Sequence, residues 1–410
     1  MTLDLTRRQW LGAAAAAGVA PRAFAQAVPA ARGDGRLVVV FLRGALDGLS
    51  AFVPYADADY ARARPSIALP APDGSDQTAL KLDGRFALHP ALSPLLPLWQ
   101  QGLLAVVPAA GSPDPTRSHF DAQLHWETAR PGQTSDAPGW LNRLSALGGG
   151  DDAVHAIGVG ESNPRILSGP RPVKLVARGK AAQRPGALEN ARTRDALLDM
   201  YGGDDALSKA FRQGAESRLQ TAQDLKREQQ AADNGAAPPA LLTQNAHNLG
   251  TLMRQQRALR IGFLSAGGWD THANQGAATG PLANNLRNLA AALVQLRQDF
   301  NQPGDVIVVA SEFGRTAAEN GTRGTDHGHG NGNAMWLIGQ RVAGGRWHGE
   351  WTGLAPANLN EQRDVPVHHD FRAVLAQVLR PGFGLGDSQL ADALPGVRWD
   401  GRLDGLMRRG

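Results

Sequence analysis

The chain has 410 residues, with 42 Lys and Arg against 38 Asp and Glu, a formal net charge of +4 and no cysteine. This near-balanced charge gives no indication of a nucleic-acid partner. The lack of cysteine excludes a disulfide framework, an iron–sulfur cluster and any Cys-ligated zinc or copper site. The length exceeds one small domain but suits a single α/β sheet with insertions.

The first 25 residues have the features of a twin-arginine signal peptide. Arg7 and Arg8 precede a short apolar run, and Ala23-Phe24-Ala25 is a small-x-small cleavage site. That run is too short to span a bilayer, and no later run approaches ~20 apolar residues. We therefore expect the twin-arginine translocase as a partner during export, and a periplasmic or secreted mature chain without a membrane span.

Strand and helix patterns alternate after a flexible lead-in, which we predict over 26–35. Apolar runs predict strands over 37–42, 103–107, 259–265, 305–310 and 334–338. Amphipathic runs predict helices from about 120, over 282–300 and over 371–379. Residues 191–257 are mostly helical in pattern and predict a helical insertion. The alternation predicts one α/β domain over 36–410 with a mostly parallel sheet.

Polar side chains follow three of the predicted strands. Asp47 comes after the first strand, Asp270 and His272 follow the third, and Glu312 follows the fourth. The carboxyl ends of parallel strands meet at one edge of a sheet, where the active sites of open α/β folds gather. Taken singly, each has another interpretation: a turn for Asp47, a helix cap beside an exposed histidine for Asp270, and a surface salt bridge with Arg315 for Glu312.

A glycine-rich segment adds Asp326, His327 and His329, whose surroundings have little helix or strand propensity. Asp and His are the ligands that zinc prefers when no thiolate is available, and glycine lets the backbone approach an ion closely. We therefore predict a divalent metal site, with zinc as the favoured ion and manganese, calcium or magnesium as alternatives. The candidate ligands are Asp47, Asp270, His272, Glu312, Asp326, His327 and His329.

Candidate catalytic residues stand just before the helix that begins near 120. Thr116 and Ser118 are candidate nucleophiles, because backbone N–H groups at a helix N-terminus stabilise a bound anion. Arg117 between them is suited to holding a phosphate or sulfate oxygen. The alternative for Ser118 is a plain helix cap. His119 is interpreted only as a hydrogen-bond donor lining the pocket.

Five motifs together resemble the family catalogued as domain of unknown function 1501. The order of the polar segments also resembles the alkaline-phosphatase-like superfamily, which implies a three-layer α/β/α sandwich with a mostly parallel sheet. The motifs are Phe41-Leu42-Arg43-Gly44, Ser118-His119-Phe120-Asp121-Ala122-Gln123, Gly268-Trp269-Asp270-Thr271-His272, Ser311-Glu312-Phe313-Gly314-Arg315-Thr316 and Asp326-His327-Gly328-His329-Gly330.

The superfamily resemblance implies a metal site built from an Asp after the first strand, an Asp and a His after a middle strand, and a later Asp-His pair. That pair directly follows its strand in the superfamily, whereas Glu312 stands there in this chain. Either Glu312 replaces the paired Asp and His327 or His329 supplies the last histidine, or the loop is rearranged.

The function expected from these features is that of an exported metal-dependent hydrolase or transferase. Its substrate would be a small-molecule or polymer ester of the phosphate type, with sulfate esters as an alternative. The other expectation is a non-catalytic, exported, metal-containing binding or assembly factor.

Overall fold

The protein is described from a computed structural model that covers residues 33–133, 136–148, 155–161, 164–176, 191–205, 208–209, 238–328 and 332–408. The predicted signal peptide, most of the predicted lead-in, the middle of the predicted insertion and His329 lie outside the described residues. Among the described residues, no helix is both long enough and apolar enough to cross a lipid bilayer.

A large mixed sheet forms the centre of the described fold. Its strands are β1 (Arg36–Leu42), β5 (Leu104–Gly111), β6 (Ala156–Val159), β7 (Val173–Val176), β8 (Ile261–Ala266), β9 (Asp305–Ser311), β10 (Asn333–Gly339), β11 (Arg346–Trp347) and β12 (His369–Asp370). The order is β11-β5-β10-β9-β1-β8-β6-β7, and β12 pairs with β5. A second sheet contains β2 (Phe52–Val53), β3 (Leu80–Lys81) and β4 (Ala87–Leu88).

Helices cover both faces of the large sheet. Alternate side chains of β1 enter two different hydrophobic clusters: Leu37, Val39 and Phe41 lie in one, and Val38 and Val40 in the other. This makes a three-layer α/β/α sandwich. The α-helices are α1 (Gly48–Ala51), α2 (Ala58–Ala63), α3 (Leu96–Gln100), α4 (His119–Thr128), α5 (Trp140–Ala146), α6 (Ala191–Met200), α7 (Leu242–Gln255), α8 (Pro281–Asp299), α9 (Phe371–Phe383) and α10 (Asp387–Ala393).

The predicted fold class is confirmed, and the predicted strands correspond to β1, β5, β8, β9 and β10. Only β10 runs antiparallel to its neighbours in the pairings described, so the sheet is mostly parallel. No strand is predicted from the sequence at β6 or β7, each of which is only four residues long. Within the predicted insertion, α7 packs directly on β8 and β6 as part of a flanking layer.

Strand register decides where the site forms. Leu42 at the end of β1 lies opposite Ala266 of β8 and Ser311 of β9. The loops that follow these three strands therefore leave the same edge of the sheet side by side. β5 ends at this edge as well, and its following loop leads to α4.

Candidate metal centre

Three imidazole rings converge on one carboxylate at this edge. His327 Nε2 lies 3.0 Å from His119 Nε2 and 2.9 Å from His272 Nε2. Asp270 Oδ1 lies 3.0 Å from His272 Nε2 and 3.1 Å from His327 Nε2. The other oxygen of Asp270 lies 3.7 Å from His119 Nε2. We call His119, Asp270, His272 and His327 the ligand cluster.

The donor atoms of the ligand cluster suit a divalent metal ion. Three imidazole nitrogens and a carboxylate oxygen match the donor types that zinc takes in proteins, and a tetrahedral zinc holds its ligand atoms about 3.3 Å apart. Within the described parts of the chain, His119, Asp270 and His327 are the group of three metal-ligating residue types whose donor atoms all lie within 4.8 Å of one another. The residues present therefore fit the predicted ion.

The opposite nitrogens of two of these rings are held by carboxylates. His119 Nδ1 lies 2.9 Å from Glu312 Oε1, and His272 Nδ1 lies 3.2 Å from Asp326 Oδ1. Because an ionised carboxylate only accepts hydrogen bonds, each Nδ1 carries a proton, and this is the tautomer that allows Nε2 to coordinate a metal ion. This is the arrangement in which outer carboxylates orient metal-binding histidines.

Glu312 lies one hydrogen bond outside the ligand cluster. Its buried carboxylate also accepts hydrogen bonds from the backbone N–H of Gly44 at 2.7 Å and from Gln123 Nε2 at 3.1 Å. Burial opposes its ionisation, but the hydrogen bond from His119 holds the pKa of the Glu312 carboxyl below its usual value. Glu312 therefore orients His119 in this structure.

Asp326 has the same relation to His272, but near the surface. Its side chain is 51% exposed. Asn320 Nδ2 donates to Asp326 Oδ1 at 2.8 Å and fixes the carboxylate from the other side. The predicted segment thus supplies one residue to the ligand cluster, His327, and one to its support.

Arg315 joins the loops that carry these residues. Its guanidinium donates to the carbonyl of Ala45 at 2.7 Å, to that of Thr325 at 3.0 Å and to Asp270 Oδ1. It is buried. Burial opposes ionisation of Asp270, yet hydrogen bonds from the surrounding imidazoles and the charge of Arg315 hold the pKa of that carboxyl far below its usual range. The structure thus pairs Arg315 with Asp270 and not with Glu312.

A phenylalanine closes one side of the ligand cluster. The buried ring of Phe313 packs against His119 and His327, with ring centroids 5.1 and 5.2 Å away. An apolar wall of this kind keeps bulk water from one side of the imidazoles and strengthens electrostatic interactions beside it.

Asp47 lies in a separate set of hydrogen bonds. Its Oδ2 accepts from Arg64 Nη1 at 2.6 Å, from Ser50 Oγ at 2.7 Å and from Gln275 Nε2 at 2.7 Å. Burial opposes ionisation, but Arg64 holds the pKa of the Asp47 carboxyl below its usual value. The structure does not place Asp47 in the ligand cluster.

The three predicted catalytic residues form the entry to α4. Ser118 is the N-cap, and its Oγ accepts from the backbone N–H of Asp121 at 3.3 Å. Thr116 Oγ1 accepts from the backbone N–H of Ser118 at 3.2 Å. The side chain of Arg117 is exposed and has no ion-pair or hydrogen-bond partner among the described residues. The structure therefore contains the predicted helix cap at Ser118, and this cap directly precedes His119 of the ligand cluster.

His119 is the residue whose importance sequence analysis missed. The sequence favoured a lesser role because a single histidine beside a helix cap has no spacing pattern of its own. The sequence did contain an indication of its role. A capped helix that begins after a strand places its first residues at the carboxyl edge of the sheet, where the other candidate ligands lie. Arg64 and Gln275 had no local signal at all.

The fold and the site define an α/β protein with a histidine- and aspartate-lined cluster at the carboxyl edge of its central sheet. The chain belongs to the family described as "Protein of unknown function (DUF1501)", whose family model matches residues 105–394. This confirms the membership predicted from the motifs. The comparison with curated proteins returned no match.

Several solved structures are similar to the chain, at low identity. The PsFucS1 sulfatase from Pseudoalteromonas sp. shares 10% identity, with 92% of this chain and 74% of that one covered and a TM-score of 0.40. The zinc complex of the C-terminal periplasmic domain of EcEptC from Escherichia coli shares 9% identity, with 76% of each chain covered and a TM-score of 0.37. The TAB5 alkaline phosphatase with bound Mg shares 10% identity, with 78% of this chain and 95% of that one covered and a TM-score of 0.34. At these values the likeness carries no argument about activity.

Proposed function

We propose that the protein is an exported, metal-dependent hydrolase or transferase acting on a phosphate-type ester, with sulfate esters in the same class. The observation that carries this proposal is the ligand cluster, in which three Nε2 atoms face Asp270 while outer carboxylates hold two of the rings from behind. Zinc is the proposed ion. When bound, such an ion polarises an ester oxygen and lowers the pKa of water.

The proposed roles of the chain's own residues follow from their contacts. Asp270, His272, His119 and His327 would hold the ion, and Arg117 would bind an ester oxygen because its guanidinium is exposed and free of described partners. His329, which lies outside the described residues, stays a proposed ligand. Each of these roles can be tested by substituting the residue alone.

Thr116 and Ser118 remain the proposed nucleophiles. In their described hydrogen bonds both hydroxyls act as acceptors for backbone N–H groups. Each therefore keeps its own proton available for removal during an attack on the ester. The N-terminal end of α4 would stabilise the anion that binds there.

The alternative is a non-catalytic binding or assembly factor that contains the same metal centre. The observation that favours it concerns the same two hydroxyls. Neither Thr116 nor Ser118 has a described hydrogen bond to a basic side chain that could take its proton. Such a factor would gain thermal stability from the metal and show no turnover.

The first experiment is metal analysis of tag-free protein exported through its own signal, followed by assays with an aryl phosphate, a phosphodiester and an aryl sulfate. We expect zinc and turnover in the wild type, and loss of both in Asp270→Ala and His327→Ala. His247→Ala is the matched control, because that histidine pairs with Asp299 at the C-terminal end of α8 and does not belong to the ligand cluster. Metal without turnover would favour the binding factor, and metal far below one equivalent would overturn both readings.

A further inference from the structure

We infer that the centre holds one divalent ion rather than two, because a buried guanidinium takes the place of a second cation. This inference rests on the proposed function. The superfamily resemblance implies a metal-binding Asp after the first strand, and Asp47 is that residue in this chain. Its carboxylate is already neutralised by Arg64, whose Nη1 lies 2.6 Å from Asp47 Oδ2.

Arg64 is built into the fold and is not a mobile side chain. Its side chain is 0% exposed. Besides Asp47, the guanidinium donates to the carbonyls of Ala317 at 2.8 Å and Thr316 at 3.0 Å. Both carbonyls belong to the segment that follows β9. Moving Arg64 away would break these hydrogen bonds and leave a buried carboxylate without its counter-ion, which costs more than the pair itself contributes.

The second oxygen of Asp47 has no described hydrogen-bond partner, so it is the atom that a second ion would use. Its surroundings offer such an ion little. The small cavity beside Asp47, about 30 Å³, is lined mainly by apolar residues, among them the rings of Phe52, Phe86 and Trp347, and its other charged or amide side chains are Arg315 and Asn333. No second group of three metal-ligating residue types within the described ranges includes Asp47. A divalent ion needs several oxygen or nitrogen ligands, and aromatic carbon supplies none.

Gln275 links Asp47 to the ligand cluster without an ion. Its Nε2 donates to Asp47, while its Oε1 accepts from Thr271 Oγ1 at 2.8 Å and from Thr325 Oγ1 at 3.2 Å. Thr271 lies between Asp270 and His272, and Thr325 precedes the loop of His327. Through Gln275, Asp47 therefore positions the two loops that carry most of the ligand cluster.

The test is the zinc stoichiometry of the wild-type protein by native mass spectrometry and by elemental analysis. We expect one equivalent per chain. Two equivalents would overturn the inference while leaving the proposed function intact. Zinc far below one equivalent would overturn the proposed function instead, so the two failures are distinguishable.

Variants then separate Asp47 from the ligand cluster. We expect Asp47→Asn to keep one equivalent, with a zinc dissociation constant within about 10-fold of the wild type, as for a positioning residue. The matched variant Asp270→Asn is expected to weaken zinc binding by more than about 100-fold. Asp47→Asn protein that retains its circular dichroism but loses zinc to the same extent as Asp270→Asn would overturn the inference. If Asp47→Asn does not fold, the wild-type stoichiometry still decides.

Discussion

Two charged clusters lie side by side at the carboxyl edge of the sheet, and they differ in the source of the cation that completes them. The Arg43 cluster consists of Arg43, Gln123, Glu127 and Glu161. Its guanidinium donates to Glu127 at 2.9 Å, to Glu161 at 2.9 Å and to Gln123 at 2.7 Å. In the ligand cluster the guanidinium of Arg315 donates to Asp270, while the Nε2 atoms of the three rings face one another and that carboxylate. The chain itself supplies the cation of the Arg43 cluster, whereas we propose that a metal ion completes the ligand cluster.

Glu127 shows how strongly the Arg43 cluster depends on its own cation. Burial raises the pKa of the Glu127 carboxyl, and the charge of Arg43 opposes that rise. Burial and charge alone do not mark a functional site here. The ligand cluster is distinguished by its three imidazole rings, which gather on one carboxylate.

The largest expected effect on stability comes from removing the guanidinium of the Arg43 cluster. Arg43→Met would leave two buried carboxylates without their counter-ion, and we expect a loss of about 3–5 kcal/mol in the free energy of unfolding. Urea denaturation measures it. The fraction that stays folded should keep the metal content of the wild type. A loss below about 1 kcal/mol would contradict the view that this guanidinium completes the cluster.

His89 is a buried imidazole whose two ring nitrogens both have backbone hydrogen-bond partners. Its Nδ1 accepts from the backbone N–H of Ala91 at 2.9 Å, and its Nε2 lies 3.0 Å from the carbonyl oxygen of Ala277. Burial lowers the pKa of His89 to about 4. The unfolded chain takes up the proton near pH 6.5. The contribution of His89 is therefore complete above about pH 6.5 and is lost as the pH falls to about 4, a change of about 3 kcal/mol.

Urea denaturation at pH 7 and at pH 4 measures this effect. The difference between the two pH values should be smaller in His89→Gln than in the wild type. His247→Gln is the control, because that ring is about half exposed. An equal acid loss in wild type and His89→Gln would show that His89 does not carry the effect.

A smaller effect, on zinc affinity, is expected when the carboxylate behind His119 is neutralised. Glu312→Gln would keep an acceptor for the Gly44 N–H but would lose the charge that orients and polarises His119. We expect the zinc dissociation constant to rise about 10- to 100-fold, as when other outer carboxylates are removed. Competition with a chromogenic chelator measures it. Glu350→Gln, at an exposed pair with Arg402, should leave the constant unchanged.

The smallest effect is expected at the surface. Arg341 pairs with Asp34, whose side chain is 68% exposed. Arg341→Met should change the free energy of unfolding by less than about 1 kcal/mol, because water screens such a pair. The same urea titration that follows Arg43→Met measures it. A cost close to that of Arg43→Met would show that burial does not set the contribution of these two ion pairs to stability.

Much of the fold was predictable because its signals are local. The apolar run that becomes β1 and the helix cap at Ser118 can be read from a few neighbouring residues. Three predicted ligands, Asp270, His272 and His327, do lie together in the ligand cluster. Their spacing in glycine-flanked loops after strands was sufficient to single them out.

The roles of the other candidates could not be predicted in this way. Glu312 and Asp326 have ligand chemistry, but each contacts a histidine from behind. Asp47 also has ligand chemistry, and it pairs with Arg64, which no motif had marked. A carboxylate that binds an ion and one that holds an imidazole are the same residue type in the same kind of loop. Only the position of the neighbouring side chain separates them.

The sequence by itself determined the alternation of strands and helices, the family and the kinds of ligand available at the sheet edge. These depend on patterns within a few residues of one another. The tertiary structure alone decided that His119 faces the other imidazoles and that Arg64 neutralises Asp47. His119 and Glu312 are 193 positions apart, and His119 and His327 are 208 apart. Such contacts are set by strand order and register, which no local pattern specifies.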